Sequence, residues 1–293
     1  MTSTLELLPG LSAVAPRYDA VICDVWGVIH NGVAAYRTAC DALENFRKAR
    51  GPVLLLSNAP RPHSSIQPQL DRFGVARAAY DAILTSGDAT RAELMRRTAA
   101  RPGLPVLHIG PERDAALFDG IAFARADIAD AELVLCSGLY DDDTETPDDY
   151  TDLLKAMRAR DLTMICANPD LQVERGSQIL YCAGALAAAY EKLGGKVIYY
   201  GKPHRPVYDQ ALERLDAIAG RALERARVLA IGDGLKTDIR GANDFAIPAL
   251  LVTGGLHAAD FGPHPENPDI ARVRAALDKA KLSAIGAQGR LKW

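Results

Sequence analysis

The chain has few of the features that mark several large classes of protein. Its five cysteines are odd in number, lack CxxC spacing and lie mostly in apolar runs, which is typical of core thiols in a reducing compartment. The net charge of −3 leaves no basic surface of the kind that binds nucleic acid. No apolar run approaches the roughly 18 residues of a membrane span. These absences favour a globular protein, about two domains long, that acts without nucleic acid or membrane.

The first sixteen residues also lack the pattern of a secretory signal. No Lys or Arg precedes their short apolar patch, and Pro9 and Gly10 interrupt it. Together with the cysteine usage, this predicts a cytoplasmic protein.

Short apolar runs alternate with helix-like segments along the chain. The predicted core strands are 20–24, 53–57, 82–85, 197–200, 228–231 and 249–252. The predicted helices are 34–48, 64–73, 88–99, 183–193, 206–217, 237–245 and, near the end of the chain, 270–281. Strands that alternate with helices favour a parallel sheet, so we predict an α/β fold with a doubly wound, Rossmann-like core.

A second group of strands lies in the middle of the chain, between loops of a different style. These predicted strands are 106–109, 133–136 and 162–166. We therefore predict an inserted α/β domain at 87–182, with the core formed by 1–86 and 183–293. One helix of the insert has a clear start, with Thr146 as N-cap, Pro147 at the first position and two aspartates in the first turn.

Polar side chains follow four of the predicted core strands. Ligands of open α/β sheets bind at the carboxyl ends of the strands, so these side chains are candidates for one site. They are Asp24, the pair Ser57 and Asn58, Lys202, and the group Asp233, Thr237 and Asp238.

The chemistry of this set points to a phosphoryl group and a metal ion. Two carboxylates at one sheet edge suit a hard divalent cation with oxygen ligands, above all Mg²⁺, which pairs readily with phosphate. A lysine, a hydroxyl and an amide can then neutralise and hold the phosphoryl oxygens. The sequence thus predicts phosphoryl-transfer chemistry.

The ordered set of strand-end residues resembles the four motifs of the haloacid dehalogenase superfamily. The runs Cys166-Ala-Asn-Pro-Asp170, Gly184-Ala185 and Gly201-Lys-Pro203 are similar to its subfamily IIA, which contains nitrophenyl phosphatases and nucleotide monophosphatases. The resemblance covers residues from about 15 to 257. It implies an inserted cap domain of the C2 type, a Mg²⁺ cofactor and a small phosphorylated metabolite as substrate. A homodimer is left open, since cap-mediated dimers occur among such relatives.

The resemblance also implies a role for each matching residue. Asp24 is the nucleophile that forms an aspartyl-phosphate, and with Asp233 and the main-chain carbonyl of Trp26 it binds the metal. Ser57 and Lys202 hold the phosphoryl group. The remaining implied site residues are Asn58 and Asp238, which support substrate and metal-bound water, and Gly27 and Gly32, which belong to the flap after the first strand.

Trp26 departs from the family pattern, which has an aspartate two residues after the nucleophile as general acid. Indole cannot donate that proton, and general acid catalysis is worth roughly 10² to 10⁴ in rate. Alkyl phosphates should therefore suffer most, and phenyl or acyl phosphates least. The indole could instead be an apolar plug or a stacking surface for an aromatic substrate. The acidic run 141–145 could supply a replacement acid or be a solvated loop.

Three functions therefore remain open at this point. The leading hypothesis is a Mg²⁺-dependent phosphatase, and the second is a weak or silent protein that binds a phosphorylated ligand. The third is a metal-independent dehalogenase-like hydrolase, which also attacks through an aspartate but has no need of Asp233. Arg61 is a further candidate for binding a substrate anion, with a plain surface role equally open.

Overall fold

The computed structural model describes residues 5–175, 178–255 and 258–293. The chain divides into two compact units. The first unit contains Met1–Ser57, Gln67–Leu84 and Tyr208–Trp293, and the second contains Asn58–Ile66 and Thr85–Val207.

The first unit is built on a six-stranded sheet. Its strands are β1 (Ala20–Asp24), β2 (Val53–Ser57), β3 (Ala82–Thr85), β11 (Val228–Gly232), β12 (Ala249–Val252) and β13 (Gly286–Gln288), in the order β13-β12-β11-β1-β2-β3. β1 pairs in parallel with β11 on one side and with β2 on the other. Every residue of β1 is buried, which explains why this strand is an apolar run without alternation.

The second unit contains a separate five-stranded sheet and a hairpin. Its strands are β4 (Leu104–Ile109), β5 (Phe123–Arg125), β6 (Leu133–Cys136), β7 (Thr163–Cys166) and β10 (Lys196–Tyr199), with β8 (Gln172–Arg175) and β9 (Gln178–Tyr181) as the hairpin. The sheet order is β10-β7-β6-β4-β5, with parallel pairings. Tyr190, Met157 and Met164 are fully buried in its core.

Eight α-helices connect the strands in the described part of the chain. They are α1 (Arg37–Ala49), α2 (His63–Phe73), α3 (Ser86–Ala100), α4 (Thr151–Ala159), α5 (Ala183–Lys192), α6 (Arg205–Ala219), α7 (Arg240–Asp244) and α8 (Ile270–Ala280). Thr146 and Asp149 form the predicted cap, with Thr146 N–H donating to Asp149 Oδ2 at 2.8 Å. The cap begins a short 3-10 turn, Pro147–Tyr150, which leads into α4.

The predicted Rossmann-like α/β core is confirmed by this sheet and its helices. The five cysteines are buried and free, as predicted for core thiols. Within the described ranges, none of the helices has both the length and the apolar character needed to cross a lipid bilayer.

Two strands lie elsewhere than the sequence predicts. The sequence places the run at 197–200 in the core sheet, but β10 pairs with β7 in the five-stranded sheet of the second unit. The sequence of an apolar strand does not show which sheet the strand joins, because this depends on the strand with which it pairs. β13 lies where the sequence predicts no strand, because three residues are too few to show a strand pattern.

An ion-pair cluster lies next to the amino end of β1. The Asp19 carboxylate accepts hydrogen bonds from Arg227 Nε and Arg221 Nη2, each at 2.9 Å. Arg50 Nη2 lies 3.5 Å from the same carboxylate. The hydrogen bonds from Arg227, then from Arg221, hold the pKa of Asp19 well below its usual range.

This cluster predicts an acid-sensitive contribution to stability. Because the folded-state pKa of Asp19 is depressed, its contribution is present above the unfolded pKa of about 4 and is lost as the pH falls further. Asp19→Asn should lower the free energy of unfolding at pH 7 by about 1 to 2 kcal/mol, and by less at pH 3. Urea unfolding at both pH values measures this.

The matched control is Asp71→Asn, which removes an exposed partner of Arg77 in the same unit. An exposed pair contributes little, so this control should leave stability nearly unchanged. An Asp19→Asn protein with the same loss at pH 3 as at pH 7 would contradict the analysis.

Candidate active site

Three neighbouring strands of the first unit place polar residues at one sheet edge. Asp24 is the last residue of β1, Ser57 ends β2, and Asp233 directly follows β11. The registers align Cys23 with Ile231 and Asp24 with Leu56, so the three carboxyl ends are level. From β1 the chain winds one way through β2 and β3 and later returns to β11 on the other side. Such a reversal opens a ligand-binding crevice at the carboxyl ends of the strands.

A cluster of three carboxylates lies at this edge. Asp24, Asp233 and Asp238 are 7%, 6% and 5% exposed, and one carboxylate oxygen from each lies within 4.8 Å of the other two. Three buried carboxylates at this separation repel one another strongly unless a cation or protons lie between them. An all-oxygen set of this kind fits a hard divalent cation such as Mg²⁺.

A single π turn sets the position of Asp238. The turn covers Leu235–Ile239, and Ile239 N–H donates to Gly234 O at 3.1 Å, five residues back. Asp238 Oδ2 accepts hydrogen bonds from Gly234 N–H at 3.1 Å and Thr237 Oγ1 at 3.2 Å. The predicted helix 237–245 is therefore wrong at its start, because α7 begins only at Arg240. Asp238 is part of the carboxylate cluster rather than a helix cap.

Glycines allow the backbone to close around the carboxylates. At Gly27, which has a φ of +82°, and at Gly255, a Cβ atom would overlap the Asp233 carboxylate. A Cβ atom at Gly232 would overlap the side chain of Asp238. Gly255 lies in the loop after β12, which was not singled out in the sequence. The signal for it is a pair of glycines one residue beyond an apolar strand.

The segment after β1 folds back on itself as a short flap, residues 25–36. Trp26 and His30 form an isolated bridge, and Gly27 N–H donates to His30 O at 2.8 Å. Gly32, also predicted in the flap, has a φ of +84° and lies under the indole of Trp26. The Trp26 side chain is 36% exposed, so it is not a buried plug.

In the second unit, Asn58 and Lys202 lie together and are buried. Asn58 Oδ1 accepts from Lys202 N–H at 2.7 Å, and Asn58 Nδ2 donates to Lys202 O at 3.2 Å. Asn58 Nδ2 also donates to Asp170 Oδ1 at 2.9 Å. Both amide hydrogens of Asn58 therefore have partners within the protein. The sequence analysis assigns no role to Asp170, although a polar Asn-Pro-Asp run after β7 is a signal for it.

The other candidate residues of the second unit have local partners. Arg61 Nε lies 3.9 Å from Oδ1 of the buried Asp114. In the acidic run 141–145, Asp142 accepts from both Nη atoms of Arg113, at 3.0 and 2.6 Å. Asp141 Oδ1 accepts from the main-chain N–H of Asp143 at 3.0 Å. Asp141 and Asp142 are thus engaged within the second unit.

Comparisons with known proteins show the family of this chain. A haloacid dehalogenase-like hydrolase family model matches residues 21–124, and a HAD-hydrolase-like model matches residues 199–277. A crystal structure of a haloacid dehalogenase-like hydrolase from Brucella suis 1330 is 42% identical, with a TM-score of 0.84. That match covers 97% of this chain and 100% of the other. The chain belongs to the haloacid dehalogenase-like hydrolase family.

Two further proteins with named activities are similar to this chain. Ribonucleotide monophosphatase NagD of Escherichia coli (strain K12) is 25% identical over 266 residues, which cover 86% of this chain and 97% of NagD. A glycerol phosphate phosphatase from Mycobacterium tuberculosis, solved in complex with magnesium, is 23% identical with a TM-score of 0.63. That match covers 88% of this chain and 74% of the other, and shows a shared fold.

The close approach of Gly27 to Asp233 yields a matched pair of substitutions. Gly27 and Gly74 both have a φ of +82°, but a Cβ atom at Gly74 would have nothing within 4 Å. Gly27→Ala and Gly74→Ala should each cost about 1 kcal/mol of stability through backbone strain. Only Gly27→Ala should weaken Mg²⁺ binding, by about tenfold or more, because it displaces the Asp233 carboxylate.

Calorimetric titration with Mg²⁺ measures the binding, and urea unfolding measures the strain that both variants share. Equal Mg²⁺ affinity in the two variants would show that Asp233 does not bind the cation.

Proposed function

We propose that this protein is a Mg²⁺-dependent phosphoric monoester hydrolase that acts on a small phosphorylated metabolite. The observation that carries this proposal is the cluster of buried carboxylates formed by Asp24, Asp233 and Asp238. The similarity to NagD, a ribonucleotide monophosphatase, and the magnesium complex of a protein with the same fold support it.

In this proposal the cation is bound by Asp24, Asp233 and the main-chain carbonyl of Trp26. Asp238 holds water bound to the cation. A cation bound by these residues would supply positive charge for the phosphoryl oxygens and help to orient the phosphoryl group. The hydrogen bonds that Asp238 accepts from Gly234 and Thr237 fix its carboxylate, so its distance from the other two does not depend on a flexible rotamer.

Asp24 is the proposed nucleophile. One carboxylate oxygen attacks phosphorus while the bond from phosphorus to the ester oxygen breaks and the leaving group takes the electron pair. Water then attacks the phosphorus of the aspartyl-phosphate, which releases inorganic phosphate and restores the Asp24 carboxylate. The end of a buried strand holds this carboxylate rigidly, which favours an in-line geometry.

Lys202 and Ser57 are the proposed ligands of the phosphoryl oxygens. Asn58 is proposed as a positioning residue rather than a substrate ligand, because its amide binds both main-chain polar groups of Lys202. Asp170 in turn accepts from Asn58 and fixes the orientation of that amide. A lysine held at its backbone loses less freedom when its ammonium group binds an anion.

The carboxylate cluster disfavours a metal-independent dehalogenase, since attack on carbon by one aspartate gives no use to two further buried carboxylates. Release of halide that persists in the presence of EDTA would support a dehalogenase. Binding of phosphorylated ligands without turnover by the wild-type protein would favour a silent binding protein.

Replacement of the nucleophile tests the proposal directly. Asp24→Asn should lower the rate of phosphate release by at least about 10³-fold while the protein remains folded, because an amide does not form the covalent intermediate. A colorimetric phosphate assay over aryl, acyl and alkyl phosphates, with Mg²⁺ and with EDTA, measures this. Asp141→Asn, in the exposed acidic run, is the control and should retain full activity. Unchanged turnover in Asp24→Asn would refute the mechanism.

A double-mutant cycle tests the role of Asn58. Asn58→Ala removes the amide hydrogen bonds to Lys202, and it should lower kcat/KM by about 10- to 100-fold, as expected for a lost buried hydrogen bond of 1 to 3 kcal/mol. If Asn58 acts through Lys202, the same substitution should have little further effect in Lys202→Met. Additive losses in the double variant would show that Asn58 acts independently of Lys202.

A further inference from the structure

We infer that Trp26 is a specificity-determining residue that selects phosphate esters with a planar leaving group able to carry negative charge, such as aryl phosphates. This inference rests on the proposed phosphatase function and names its substrate class. The observations behind it are the position of the indole, the contacts that fix it and the lack of an acidic side chain in the flap.

The backbone of Trp26 borders the carboxylate cluster. Trp26 lies two residues beyond Asp24, and its neighbour Gly27 approaches the Asp233 carboxylate too closely to leave space for a Cβ atom. The side chain of Trp26 therefore begins within one residue of a carboxylate of the proposed metal site. Its exposed fraction of 36% leaves part of the indole open to a ligand.

The flap holds the indole in one orientation. A Cβ atom at Gly32 would lie 2.6 Å from Trp26 Cη2, so the six-membered ring packs directly on the Gly32 backbone. The His30 ring meets the indole edge to face, with 5.1 Å between centroids and an interplanar angle of 74°. His30 in turn packs on Phe73, with 4.9 Å between centroids. An aromatic ring fixed from behind and open in front is typical of a binding surface for planar groups.

No side chain between residues 25 and 36 is a carboxylic acid. His30 is buried, and its ring lies between the indole of Trp26 and Phe73. Its Nδ1 atom accepts a hydrogen bond from Gly32 N–H at 2.9 Å. The phenol of Tyr36 lies under the guanidinium of Arg290, 4.2 Å from the ring centroid. The flap thus presents an apolar surface and no acidic side chain. An alkoxide leaving group would depart faster if the flap had a proton donor.

Without a proton from the flap, the leaving oxygen departs as an anion. The leaving group departs most easily when its negative charge is delocalised over a ring. When the charge is not delocalised, a general acid speeds the reaction by roughly 10² to 10⁴. The same ring can stack on the indole. Both properties of Trp26 therefore favour the same class of ester.

The first experiment measures contact between the ligand and the indole. Trp26 and Trp293 are the two tryptophans of the chain, so Trp293→Phe leaves Trp26 as the single tryptophan, which can be excited selectively over the tyrosines. With Mg²⁺ present, 4-nitrophenylphosphonate, whose carbon–phosphorus bond resists hydrolysis, should quench this fluorescence in a saturable way. Methylphosphonate has the same anionic group without a ring and should not. In Trp26→Phe, which retains Trp293, the nitrophenyl ligand should give no saturable quenching.

The second experiment measures selectivity. Across substituted phenyl phosphates, kcat/KM of the wild type should fall steeply as the pKa of the leaving phenol rises, and alkyl phosphates should be slowest. Trp26→Asp should flatten this dependence and raise the rate on alkyl phosphates by about 10- to 100-fold relative to phenyl phosphate. Trp26→Phe should retain the preference for aryl over alkyl esters, and Trp26→Leu, of similar apolar character without a ring, should reduce it.

The outcomes separate this inference from the proposed function. Phosphate release that depends on Asp24 and Mg²⁺ but shows the same leaving-group dependence in wild type and Trp26→Asp would overturn the inference and leave the phosphatase intact. Equal quenching by both phosphonates would overturn it as well. Absence of phosphate release from every ester in the wild type would refute the proposed function itself.

Discussion

The arrangement of the first unit depends on mutual repulsion among three buried carboxylates. Asp24, Asp233 and Asp238 are drawn together by the ends of β1 and β11 and by one π turn, in a setting with little water to screen their charges. Such a cluster is stable only if a cation, or protons, compensate it. The glycines around Asp233 allow the main chain to approach this carboxylate closely.

In the second unit, the main structural feature near the site is a buried lysine. Lys202 is 3% exposed, and its main chain is bound on both sides by the amide of Asn58. Asp170 completes this arrangement by accepting from the same amide. The Gly201 backbone lies close to the Asn58 side chain, since a Cβ atom at Gly201 would lie 2.7 Å from Asn58 Oδ1. These hydrogen bonds fix the position of the Lys202 backbone.

Much of the site was predictable because its residues lie at strand ends. The apolar run before Asp24 and the Gly-Asp-Gly after Ile231 mark the ends of strands, whatever the order of the strands in the sheet. What could not be predicted was how each side chain is used. Asn58 has the donors of a substrate ligand, yet it binds Lys202 and Asp170, which lie more than 100 residues away in the chain. The helix predicted at 237–245 has a regular pattern, but packing of Asp238 against Gly232 and Gly234 favours a π turn at its start.

The parallel α/β core and the family can be predicted from the sequence, because they follow from local runs of apolar residues and from the motifs that end those runs. Three features become visible only in the folded chain: β10 pairs with β7, β13 completes the core sheet, and Gly32 and His30 hold the indole of Trp26. Each of these is a choice among partners distant in the chain or on opposite sides of a turn. Pairing and packing of that kind are set by the free energy of the whole fold, to which a short segment of sequence contributes only one side.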